Sequence, residues 1–382
     1  MTVPSASRLG LAGMLALATA IGVGRFAFTP ILPMMQSNHG VTLRMAGLLA
    51  GVNYLGYLLG ALSAIWLRLR IATIVRMALV GIVVLTVAMG LIHEPWAWLL
   101  LRGLAGILSA WVLIFASAFA LQQLALLGRQ RWGGVMFGGV GFGIALAGGS
   151  CLVFLHLAWS ADRAWVVVGL LALVLTALCW PVYANATQAP ARSTSAAAPM
   201  ALRAHIRVVI CYGILGFGYI IPATFLPAMA RRSIPDPALF GWAWPIFGAA
   251  ALGSTLMASR VSAYLGNRRI WAMSHAIMAL GVAMPVLLPG MAGIIIAALC
   301  VGGTFVVATM SGMQEARARA PEHASRLMAI MTTAFALGQM IGPLLVSALA
   351  DHANGVNALL MAAALLLLGS AVALTLGDAG KQ

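Results

Sequence analysis

Apolar runs of membrane-spanning length recur along the whole chain, broken by short polar or basic segments. They cover residues 9–35, 45–67, 75–92, 96–125, 133–157, 165–183, 207–229, 240–262, 270–288, 291–314, 326–350 and 356–377. A helix of ~20 apolar residues crosses the ~30 Å hydrocarbon core of a bilayer. The pattern predicts an all-α polytopic membrane protein with twelve transmembrane helices. The first run continues well past the length of a cleaved signal and is expected to be helix 1.

Most breaks are short, as packed neighbours require. Residues 184–206 differ, because their Ala/Ser/Thr/Pro composition has little to bury and predicts a flexible linker. The chain then divides into an N-terminal six-helix bundle (1–183), a cytoplasmic linker (184–206) and a C-terminal six-helix bundle (207–382). A weak internal repeat supports the division. A shift of 194 positions lays Gly22 on Gly216, Gly24 on Gly218, Leu32 on Leu226, Pro33 on Pro227, Met35 on Met229 and Gly47 on Gly241. Arg25 then falls on Tyr219. Parallel repeats of this kind mark transporters in which two bundles rock about a midplane site.

Composition agrees with a membrane protein. At 63% hydrophobic and 8% charged residues the chain has about a third of the charge of a soluble globule. The net charge of +15 is topological rather than a nucleic-acid footprint, because the basic residues alternate by loop. Sixteen Arg and Lys fall on the side of the two termini, four (Arg44, Arg163, Arg231, Arg232) on the other, and two within spans. That asymmetry predicts cytoplasmic termini in a bacterial inner membrane. Cys151, Cys179, Cys211 and Cys300 lie in or beside apolar spans without metal-ligand spacing and read as small core residues. Neither a metal nor a cofactor is expected.

The two charges within spans are Arg25 and Arg102. A cation at membrane depth costs on the order of 3 kcal/mol or more unless it faces a polar cavity. None of the seven acidic residues (Glu94, Asp162, Asp236, Glu315, Glu322, Asp351, Asp378) lies mid-span. The missing counter-charge points to an anionic cargo.

The segment Gly24-Arg25-Phe26-Ala27-Phe28-Thr29-Pro30-Ile31-Leu32-Pro33-Met34, followed by Ala46-Gly47-Leu48-Leu49-Ala50-Gly51-Val52-Asn53-Tyr54-Leu55-Gly56-Tyr57, resembles the bacterial YbfB/YjiJ branch of the major facilitator superfamily. The resemblance to the superfamily extends over essentially the whole chain. It implies twelve helices around a central cavity lined by helices 1, 4, 7 and 10. Several superfamily motifs are present in altered form. Gly60-Ala61-Leu62-Ser63-Ala64 after helix 2 lacks the usual acidic residue, and its counterpart keeps Arg260, Gly266, Arg268 and Arg269 but has Ser259 in the acidic position. Arg102-Gly103-Leu104-Ala105-Gly106 is similar to the Arg-x-x-x-Gly motif, whose arginine is linked to proton transfer in proton-coupled members. Gly139-Val140-Gly141-Phe142-Gly143 with Gly148-Gly149 resembles the antiporter glycine motif without its proline, and helix 11 has a closer Gly338-x-x-x-Gly342-Pro343.

Arg25 and Thr29 are four apart, so a regular helix places them on one face. Arg25 then either grips a carboxylate or phosphate with its planar fork, or caps backbone carbonyls near Pro30 and Pro33. Arg102 either takes part in coupling or cargo binding, or forms an outer ion pair with Glu94. Asn53 and Tyr57 share a face of helix 2, where they bind a polar cargo or stitch helices together. Tyr212 and Tyr219 share a face of helix 7. On helix 10, Thr304, Ser311 and Glu315 form a polar stripe, in which Glu315 either takes part in coupling or pairs with Arg317, Arg319 or Arg326. Gln122, Gln123 and Gln339 are further polar candidates, read as solvated or structural amides. His275 reads as a packing residue, and Trp96, Trp98, Trp165, Trp242 and Trp244 as an interfacial belt.

The resulting expectation is a secondary active transporter, working as a monomer in the lipid bilayer. It moves a small organic solute, an anion such as a carboxylate or organic phosphate, by proton symport or anion exchange. The competing expectation is a proton-coupled efflux pump for amphipathic compounds. An enzyme or receptor is disfavoured, since neither clustered catalytic side chains nor a large soluble segment is present.

Overall fold

The computed structural model describes residues 5–184, 202–233, 242–349 and 355–376. They form twelve long helices: α1 (Ala6–His39), α2 (Leu43–Ala64), α3 (Ile71–Leu91), α4 (Pro95–Leu126), α5 (Trp132–His156), α6 (Ala161–Ala184), α7 (Leu202–Ser233), α8 (Ala243–Leu265), α9 (Asn267–Leu287), α10 (Met291–Arg319), α11 (Ala324–Leu349) and α12 (Gly355–Thr375). Most of the expected linker lies outside the described residues, as do Gly241, Asp236, Asp351 and Asp378. The boundaries lie within five residues of expectation, and two reach that limit. Helix α7 begins at Leu202, and α10 runs on to Arg319.

Eleven of these helices are long and apolar enough to cross a membrane. The remaining one, α8, carries Ser254, Thr255, Ser259, Arg260 and Ser262. Thr255 and Ser259 are buried because α8 lies along α5, whereas Arg260 is exposed. The outer faces are apolar: Leu173, Leu178, Leu365, Leu368 and Val372 are all exposed. A surface of this kind suits lipid, in which only helices or closed barrels satisfy their own backbone.

Packing follows the repeat. In the first bundle α1 packs on α5, α2 on α4 and α3 on α6; in the second α7 packs on α11, α8 on α10 and α9 on α12. The bundles meet through α2 against α11 and α5 against α8, contacts that a two-fold exchange of the bundles interconverts. Gly22 and Gly216 show the same relation at residue level. A Cβ on Gly22 would strike the backbone of Gly143 in α5, and one on Gly216 the backbone of Phe335 in α11. Each first helix thus approaches the fifth helix of its own bundle through a matching glycine, as small residues permit in membranes.

One apolar core runs through both bundles, and a second fills the end of the first bundle remote from the chain ends. Trp98 and Trp165 belong to this second core rather than to an interfacial belt. Trp98 donates to Ile92 O at 2.6 Å, and Trp165 Nε1 lies 3.4 Å from Met35 Sδ. Trp96 and Trp242 are exposed, while Trp244 stacks on Phe247 at the bundle interface. His275 packs as expected, between Trp271 Nε1 (2.8 Å) and Ser370 Oγ (2.9 Å).

Candidate functional site between the bundles

The site originates in a break in α1. Residues Ala18–Val23 form a widened turn in which Gly24 N donates to Thr19 O and Phe26 N to Ile21 O, five residues back. Residues 24–27 are an irregular turn before the helix resumes at Phe28. Pro30 has no N–H to offer Phe26, and its ring crowds that carbonyl. Thr29 N turns instead to Phe26 O at 3.3 Å, so the carbonyl of Arg25 loses its regular helical donor.

Arg102 serves these carbonyls. It is 4% exposed in α4, and its fork donates from Nη1 to Gly24 O at 3.0 Å and from Nη2 to Arg25 O at 3.1 Å. Its guanidinium carbon lies 4.9 Å from the Phe28 ring centroid. Asn53 in turn donates to Arg102 O at 2.8 Å. The backbones of α2 and α4 meet there, since a Cβ on Gly106 would collide with Asn53 O. Arg102 therefore ties α4 to α1, and Gly106 lets α4 close on α2, within the first bundle.

Arg25 faces the other bundle. It is 6% exposed. Its guanidinium carbon is 4.0 Å from the ring centroid of Tyr57 and 5.7 Å from those of Tyr54 and Phe26. Nη2 donates to Gln339 Oε1 at 3.1 Å, and Gln339 Nε2 donates to the Tyr219 hydroxyl. The two positions related by the repeat, Arg25 and Tyr219, are thus joined through one amide of α11. Among the described residues the Nε of Arg25 has no hydrogen-bond partner.

These groups border a cavity of about 30 Å³, lined by Arg25, Tyr57, Tyr219, Phe305, Thr309 and Phe335 among others. It has room for about one or two water molecules. Its walls are aromatic: Tyr219 stacks between Phe305 and Phe335, and Phe305 continues the stack to Phe247 and Trp244. In this arrangement the cavity is too small for an organic solute.

The remaining candidates lie elsewhere. Thr29 is half-buried and does not line this cavity, because the irregular turn upsets the i,i+4 relation to Arg25. Tyr212 is buried and packs against Phe335 and Trp271. Thr304 bonds back to Cys300 O in its own helix at 2.5 Å, and Ser311 is buried away from the cavity. Glu315 pairs with Arg319 at 2.6 Å. Glu94 is exposed just before α4 and does not pair with Arg102, whose fork is occupied by the carbonyls of α1. The carbonyl-capping role open to Arg25 falls to Arg102.

Gln339 and the phenylalanines 26, 305 and 335 have a larger place than their sequence suggests. Gln339 is fully buried rather than a solvated amide. Its position midway along the run 326–350, beside Gly338, was the available signal.

The fold is similar to the crystal structure of the human organic anion transporter MFSD10 (TETRAN), with a TM-score of 0.77, 15% identity, and coverage of 97% of this chain and 100% of that one. No curated protein matches in sequence. A family model described as "Uncharacterised MFS-type transporter YbfB" matches residues 17–374. With the break in α1, the paired bundles and the interbundle cavity, this match over nearly the whole length places the chain in the YbfB-type transporter family of the major facilitator superfamily.

Proposed function

We propose that this transporter moves a small organic anion, with a carboxylate or phosphate head and an apolar body, by alternating access in a bacterial inner membrane with both termini cytoplasmic. The observation that carries the reading is the setting of Arg25. It is a buried cation at the bundle interface, and the acceptor it holds is a neutral amide. Among the described residues the ion pairs join His39 and His93 to Asp162, and Arg319 to Glu315; none reaches Arg25. A carboxylate is a stronger acceptor for a guanidinium fork than an amide, especially away from water. When the bundles part, the cargo head replaces Gln339 on Arg25 and its body lies against the aromatic walls. Coupling then follows from the cargo's own charge, as symport with a proton or as exchange. The aromatic walls also favour amphipathic acids of the kind an efflux pump exports.

The test is ligand-induced thermal stabilisation of purified protein across a panel of aliphatic and aromatic carboxylates, organic phosphates, amines and neutral amphiphiles, because a ligand of the folded state stabilises it by mass action. Acids are expected to raise the melting temperature of the parent and to have no effect on Arg25→Ala, with little effect on Arg25→Lys. Stabilisation by amines alone, or an undiminished response to acids in Arg25→Ala, would overturn the proposal.

A further inference from the structure

At the end of the first bundle remote from the chain ends, three potential metal ligands converge. His39 closes α1, His93 lies in the connection from α3 to α4, and Asp162 sits in the first turn of α6. Asp162 Oδ1 is 2.7 Å from His39 Nε2 and 3.3 Å from His93 Nε2. All three donor atoms lie within 4.8 Å of one another. Their wide spacing in sequence gives no metal motif, so only the fold brings them together.

From this geometry we propose a binding site for a divalent transition-metal ion of the zinc class, held by two imidazole nitrogens and one carboxylate oxygen, with solvent in the fourth position. Imidazole and carboxylate donors suit zinc and its first-row neighbours. Tetrahedral bonds of about 2.0–2.2 Å separate neighbouring donors by about 3.3 Å. The His93–Asp162 spacing of 3.3 Å already matches, and the His39–Asp162 spacing of 2.7 Å requires a small opening.

The surroundings are already set for such a site. Asn38 Oδ1 accepts a hydrogen bond from Ala161 N at 2.7 Å, fixing the end of α1 to the start of α6. Trp98 Nε1 donates to Ile92 O at 2.6 Å, fixing the connection that carries His93. The Trp98 ring meets His39 edge-on at 5.6 Å, and the two imidazoles lie 5.2 Å apart. Such outer contacts orient ligands before the ion arrives. Access is open, because the side chains of His93 and Asp162 are 54% and 34% exposed. All three ligands belong to one bundle, so the ion stiffens that bundle without bridging the two. The site is independent of what the cavity at Arg25 carries.

Titration of tag-free, full-length protein in detergent with Co²⁺ tests the proposal, since a tetrahedral site gives Co²⁺ a visible absorption band that Zn²⁺ then abolishes by displacement. The band is expected in the parent. His93→Ala removes an exposed side chain and is expected to weaken Co²⁺ binding at least tenfold while the melting temperature without metal stays close to the parent's. Asp162→Asn is expected to remove the thermal stabilisation by Zn²⁺. Absence of the band in the parent, or the same band and affinity in His93→Ala, would reduce the cluster to an ion pair and overturn the proposal.

Discussion

Arg25 and Arg102 are both buried in spans of the first bundle, and both belong to the break in α1, Arg25 within it and Arg102 bonded to its carbonyls. Arg102 gives two donors to backbone carbonyls of its own bundle. Arg25 gives a donor to a side-chain amide of the other bundle. In the proposed alternating-access cycle a contact within one bundle survives the rocking of two rigid bodies, whereas a contact across their interface must break and re-form. Burial and charge therefore do not distinguish a structural cation from a working one. The source of the acceptor does.

The largest expected effect comes from Arg102→Ala. Removing the fork leaves the carbonyls of Gly24 and Arg25 unpaired in an apolar core, at about 1–3 kcal/mol each. A marked fall in melting temperature and loss of monodisperse protein on size exclusion are expected. Arg25→Ala should cost less, about 1–3 kcal/mol in all, because it orphans one buried acceptor, Gln339 Oε1, while Gln339 Nε2 keeps the Tyr219 hydroxyl. Equal melting temperatures for the two variants would break the comparison.

Next in size is Gln339→Glu. It places a carboxylate opposite Arg25 across the interface, supplying from within the protein the group that the cargo is proposed to bring. Binding of an acid selected from the panel should weaken at least tenfold, measured by calorimetry, while the thermal stability of the unliganded protein rises. Gln339→Ala removes a competitor for the fork and should change binding by less than threefold. Binding by Gln339→Glu at the parent's affinity would mean that the cargo does not use Arg25.

The fold was legible in the sequence because lipid imposes a single solution on each apolar run, and because the repeat relating Gly22 to Gly216 reflects a real contact with the fifth helix of each bundle. Arg25 and Tyr219 were legible for a related reason, as a costly charge and its repeat mate. The division of labour between the arginines was not. It depends on the displaced carbonyls at Gly24 and Arg25, which arise from backbone irregularity upstream of Pro30. Thr29 stood on the expected face only if α1 were regular. Gln339 is hard to read from sequence because an amide carries no charge to mark its depth. The aromatic walls resembled ordinary core, since a cavity between two bundles is made by residues from both. The cluster of His39, His93 and Asp162 is likewise invisible until the fold brings the end of α1, the α3–α4 connection and the start of α6 to one place.

The smallest expected effect sharpens the contrast from the other side. Glu94 is the acidic residue nearest in sequence to Arg102, and an ion pair between them would make Arg102 a latch at the end of its span. In the structure Glu94 is exposed and its carbonyl accepts from Ala97 and Trp98 to start α4. Glu94→Gln retains that backbone role and removes only a solvated charge. It should leave melting temperature and acid binding unchanged within error, since substitutions at exposed sites usually stay within ~0.5 kcal/mol. A destabilisation approaching that of Arg102→Ala would show that the two residues pair in another conformation of the transport cycle. Arg102 would then alternate between partners during transport, and the contrast with Arg25 would hold for one state only.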